Sequence, residues 1–210
     1  MKNWVIIFVF FILLSCSSTR INESWRNPEY VNYQPSKVLI LGITPNLTAR
    51  KIYEEKLKLA FIHKGVMANE GTTIFKRSFT NLKQTEEDIE EQIDTLLEKG
   101  YDAILISAVK GYENRITYRG ELLRNDIRFN RFGPYYYLHQ DVYFDDEIYQ
   151  EYKVYHIEIS LYDLKSKTEK SLVWVASYDI IDPKKIKATI KDCVDAIVSS
   201  LEEEGILPLN

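Results

Sequence analysis

Residues 37–43 read KVLILGI, and Thr44-Pro45-Asn46 closes the run. A continuous apolar stretch of this length, bounded by turn residues, suits a strand buried on both faces, as central strands of parallel sheets are. Asn46 or Thr48 then stands where a helix cap belongs. From Leu47 to Lys64 apolar Ile52, Leu57, Leu59, Ala60 and Phe61 alternate with charged residues, and Gly65 follows. That is an amphipathic helix ending at a glycine C-cap.

Reading outward, Val66 to Asn69 is a short second strand. Thr85-Glu86-Glu87-Asp88 has the spacing of a capping box, with Asp in place of Glu or Gln. The stripe Ile89, Ile93, Leu96, Leu97 behind it predicts a second helix, stopped at Gly100. Asp102 to Val109 is a third apolar strand. The order β-α-β-α-β favours helices packed on a largely parallel sheet. The second half changes period. Tyr152–Tyr162 and Ser171–Ile180 each alternate at every second residue, with polar DLKSKTEK between them, which predicts an antiparallel hairpin. Asp182-Pro183 opens a last helix with Ile186, Ile190, Val194, Ile197, Val198 and Leu201 on one stripe, and Gly205 closes it. The expected fold class is α/β: a mixed sheet from β-α-β-α-β, then the hairpin and a C-terminal helix, with the helices packed on the sheet.

The chain has 210 residues, 45% hydrophobic and 28% charged, with a formal net charge of -4. This is an ordinary globular mix, large enough for one core, and we assign residues 37–210 to a single domain. The acidic balance argues against nucleic acid as the main partner, because phosphate recognition needs a basic surface.

The first residues have a different logic. Lys2 precedes an apolar run from Trp4 to Leu14. At about 1.5 Å per residue such a run falls short of a ~30 Å hydrocarbon core, so residues 1–15 read as a signal peptide. Leu13-Leu14-Ser15-Cys16 resembles the bacterial lipobox. The resemblance implies cleavage before Cys16 and acyl chains, such as palmitate, on its sulfur and amino group. Two or three chains anchor a protein stably where one does not. The alternative is a signal anchor or ordinary secretory signal that happens to contain a cysteine. Residues 16–36 are polar and aperiodic and read as a tether, with Trp25, Tyr30 and Tyr33 docking back on the domain or touching a partner. With Cys16 assigned to lipid, Cys193 is the one thiol left. It allows no intramolecular disulfide or cysteine metal site, and packs as a small apolar residue.

Residues 111–150 form an insert between the halves, with arginines first (Arg115, Arg119, Arg124, Arg128, Arg131) and acids later. Tyr and Arg are the types enriched at interface hot spots. Arg128, Arg131, Tyr135, Tyr136 and Tyr137 are the candidate anchors for a partner. An equally weighted alternative is a cover that packs its tyrosines over the sheet edge. A sugar-stacking role has no specific support, and an RNA surface has less.

Catalytic patterns do not emerge. His63, His139 and His156 fall on different elements without ligand spacing. No Walker loop, G-x-S-x-G or G-x-G-x-x-G is present. Asp145-Asp146-Glu147 reads as a solvated acidic run, and the sequence sets no separation between Asp141 and Glu151. The expectation is a non-enzymatic protein with no cofactor and no metal.

The segments Val38–Ile43, Asn46 with Arg50, Gly65–Ala68 and Gly100–Leu105 resemble a group of lipoproteins from Bacteroidetes-type bacteria that lack an assigned activity. The same layout is similar, more loosely, to curli-secretion lipoproteins, to lipoprotein activators of penicillin-binding proteins and to the amino-terminal domain of the Tol-Pal translocation protein. The resemblance implies a lipid-anchored protein of the cell envelope, in the outer membrane and facing the periplasm, that binds an envelope partner. Two further readings stay open: a self-associating subunit of a secretion or envelope assembly, and a hydrolase or ligand-binding protein acting on wall or glycan.

Overall fold

A computed structural model describes residues 19–114, 118–119, 130–140, 153–166, 170–181 and 186–209. The strands are β1 (Thr19–Arg26), β2 (Lys37–Ile43), β3 (Met67–Glu70), β4 (Ala103–Asn114), β5 (Tyr118–Arg119), β6 (Lys153–Asp163) and β7 (Leu172–Ile181). The helices are α1 (Leu47–His63), α2 (Gly71–Ile74), α3 (Arg77–Asn81), α4 (Glu86–Glu98), α5 (Phe132–His139) and α6 (Ile186–Glu203). The sheet order is β1-β7-β6-β4-β2-β3, with β5 pairing to β4. β3, β2 and β4 are parallel, and β4, β6, β7 and β1 are antiparallel.

The first half follows the expected physics. Val38 to Leu41 of β2 have no exposed surface, and neither have Ala103 to Ile106 of β4 beside them. The Asn46 side chain accepts the Ala49 N–H at 2.9 Å and starts α1. At the far end Gly65 takes φ 78°, a left-handed turn that a side chain would strain. Thr85 and Asp88 form the full reciprocal capping box of α4.

Alternation along the strands defines two faces. Ser107, Ile159, Ala176 and Tyr178 share one face, where Tyr53 of α1 bonds Ser107 and Tyr178 bonds Cys193 of α6. Ser160, Tyr162 and Glu158 point to the other, which carries α4 and α5. Among the described residues the sheet is therefore covered by helices on both sides.

One expectation needs correction. The stretch assigned to the tether is not free chain: Thr19–Arg26 forms edge strand β1, paired to β7 from Thr19↔Ile180 to Arg26↔Trp174. Its alternation is weak because one edge faces solvent and the register shifts between Ile21 and Glu23. The following residues also dock. Asn27 N–H donates to Val173 O at 2.9 Å, Tyr30 and Tyr33 meet edge to face, and Tyr33 Oη donates to Asp102 O at 3.3 Å. The described part of the insert has elements of its own. Residues 111–114 continue β4 past a register shift, Tyr118–Arg119 adds β5, and Phe132–His139 is helical.

Candidate functional site

Within the described part of the insert, α5 carries the candidate residues. Phe132, Tyr135, Tyr136 and His139 follow the i, i+3, i+4, i+7 spacing of a helix face. All four are buried. Pro134 is tolerated because first-turn N–H groups have no helical acceptor. Phe132 meets Tyr162 edge-on with centroids 6.2 Å apart, and Tyr136 stacks on Phe79 at 5.3 Å. The His139 ring lies parallel to that of Tyr135 at 4.3 Å. Its Nδ1 lies 2.8 Å from Tyr135 O. The carbonyl can only accept, so Nδ1 carries the proton. Burial, aided by the Lys110 charge, pushes the imidazole down to about 4.

Beneath α5, Lys110 Nζ lies 3.5 Å from Glu158 Oε2 and 5.7 Å from the centroid of the Tyr135 ring. Burial, with the Glu158 carboxylate beside it, holds the Tyr135 phenol well above its usual range. Further along this face His156 Nδ1 meets Asp179 Oδ1 at 2.6 Å. Lys110 thus pairs with Glu158, and His156 is hydrogen-bonded to Asp179.

The four candidate anchors among the described residues separate. Tyr135 and Tyr136 are fully enclosed in the core and offer no exposed surface of their own. Tyr137 is half exposed. Arg131 Nη2 reaches Glu90 Oε1 of α4 at 3.2 Å with both side chains partly in solvent. Arg128 and Cys16 lie outside the described residues, as do the acids from Asp141 to Glu151. His63 sits at the exposed end of α1, away from the other histidines. No group of three His, Cys, Asp or Glu among the described residues is arranged to hold a metal. Burial pushes the Cys193 thiol up to about 12.

Sequence reasoning missed what lies beside Tyr137. Gln140 brackets the residues before α4: its Oε1 accepts the Gln84 N–H at 2.8 Å, and its Nε2 donates to Gln84 O at 3.0 Å. This clip ties the segment that carries Leu82, 63% exposed, to the end of α5, where Tyr137 and Leu138 are 48% and 45% exposed. Single exposed apolar residues are common, but a group of three is a candidate contact surface. Leu82 follows α3 in a polar stretch, and only the fold brings it to α5.

Neither a protein-family model nor a curated protein matches the sequence. Solved structures are similar in layout. The PelC dodecamer from Paraburkholderia phytofirmans is similar over 87% of this chain and 95% of that one, at 11% identity and a TM-score of 0.45. The lipoprotein GNA1162 from Neisseria meningitidis is similar over 80% of this chain and 99% of that one, at 13% identity and a TM-score of 0.41. Likenesses this remote carry no conclusion about activity.

Proposed function

We propose that this chain is a lipid-anchored accessory protein of the bacterial cell envelope that binds an envelope partner through the surface of α5, without catalysis. The observation that carries the binding role is the exposure of Tyr137 and Leu138 on α5, with exposed Leu82 on the segment that Gln140 ties to this helix and Arg131 at the helix start. Together they combine an aromatic anchor, aliphatic residues and an arginine, the composition of interface hot spots. The Leu-Leu-Ser-Cys sequence at residues 13–16 supports the anchor, through Cys16 as the acylated residue. The resemblance given above supports an outer-membrane address facing the periplasm.

In-cell cross-linking with the full-length protein tests the reading. One envelope protein captured by the native chain should be lost with the double variant Leu82→Ser/Tyr137→Ala at unchanged thermal stability. Equal capture by both would reject this surface.

A self-associating subunit is the second reading, and a different observation favours it. Leu59 and Ile62 on α1 and Met67 at the start of edge strand β3 are all exposed. Sedimentation of the purified protein decides: an oligomer that dissociates on Ile62→Glu supports this reading, and a monomer removes it.

A further inference from the structure

Only residues 17 and 18 stand between Cys16 and the start of β1. Three residue steps span at most ~11 Å, so a lipid on Cys16 would hold Thr19 at the membrane surface. A tether to residue 36 would have left the orientation free; a strand beginning at residue 19 does not.

The register tells which end of the molecule is held there. Thr19 pairs with Ile180 near the end of β7, Ile180 with Tyr155 near the start of β6, and Tyr155 with Tyr112 near the end of β4. The parallel strands β2 and β4 therefore finish toward the anchor. Both α1 and α6 also begin at this end. They run side by side on one face, and Lys64 after α1 bonds Glu202 near the end of α6. With 17 and 18 residues, helices tied at their far ends bring their first residues to a common level.

Those first residues are unusual for a solvated surface. Leu47 is 61% and Ile186 39% exposed. The adjacent Lys51 and Lys187 are exposed, and neither helix has an acid in its first turn. On the opposite face α4 starts with Glu86, Glu87 and Asp88, all exposed. Apolar tips flanked by lysines suit the interface of an anionic bilayer, and the acids of α4 do not.

We infer that the domain rests end-on against the bilayer, with the starts of α1 and α6 (Leu47, Lys51, Ile186 and Lys187) in contact with anionic lipid headgroups and the α4 side tilted away. The inference rests on the lipid-anchor reading above.

The acylated full-length protein, reconstituted in phosphatidylglycerol-containing or pure phosphatidylcholine vesicles, tests it. A polarity-sensitive dye is placed on Leu47→Cys, Ile186→Cys or, at the distal end of α4, Glu98→Cys; Cys193 is buried and does not compete. Quenching by headgroup-labelled lipid should be several-fold stronger at 47 and 186 than at 98, and stronger on the anionic vesicles. Equal quenching at all three positions, or the strongest at 98, overturns the orientation. As a check without substitutions, vesicle binding should slow amide exchange in the first turns of α1 and α6; unchanged exchange there counts against contact. Intact mass of the mature chain separates the two claims. An unacylated Cys16 ends the anchor reading and this one together, whereas an acylated Cys16 with no quenching pattern ends the orientation alone.

Discussion

Glu54 is a carboxylate with no exposed surface. Its Oε1 accepts the Gly42 N–H at 3.0 Å and its Oε2 the Thr72 N–H at 2.7 Å, clipping the end of β2 to the start of α2. Gly71 passes so close that an added Cβ would lie 2.7 Å from Leu41 Cδ1. Glu54→Gln leaves a single acceptor for two buried donors and should cost about 1–3 kcal/mol in urea unfolding. Burial raises the Glu54 carboxyl above its ordinary 4.5, although the two N–H groups and Arg50 oppose that rise. Its linked stability is complete below about 4.5 and declines as pH rises through the folded value. His139 has the opposite sign. Its folded value of about 4 lies below the ordinary 6.5, so its contribution is complete above about 6.5 and erodes as pH falls toward 4. That difference corresponds to roughly 3 kcal/mol between the two limits. Comparing native and His139→Leu proteins from pH 7 to pH 4 isolates this contribution: the native protein should lose more stability over that interval than the variant.

At the scale of the element, three consecutive tyrosines on α5 have different fates. Tyr135→Ala or Tyr136→Ala empties a closed core site and should cost about 3–5 kcal/mol. Tyr137→Ala, at a half-exposed position, should stay within about 0.5 kcal/mol, measured in the same denaturant series. The same contrast explains what the sequence left open. The spacing of residues 132, 135, 136 and 139 is a helix stripe, but Gly133-Pro134 and the low helix propensity of Tyr conceal it. β1 was hidden for another reason. An edge strand has a neighbour on one side only, so Asn22 and Glu23 can stay polar, and pairing with β7 comes from the backbone. Hydrogen exchange checks this assignment: amides of residues 19–26 that face β7 should be protected well beyond the rate of a free tether.

The whole molecule joins two kinds of information. Local sequence was enough for β2, α1, α4, the β6–β7 hairpin and α6, because period, caps and turn residues agree within each segment. On the proposed lipid anchor at Cys16, Cys16→Ala should move the protein from the membrane fraction to the soluble one. Tertiary structure alone decided how far the sheet extends and which insert residues remain outside. Burial of Tyr135 and Tyr136, the bonding of Gln84 to Gln140 and the pairing of β1 with β7 all depend on contacts between segments distant in sequence. No residue pattern encodes those distances, because a side chain is hidden or exposed by what the remainder of the chain places over it.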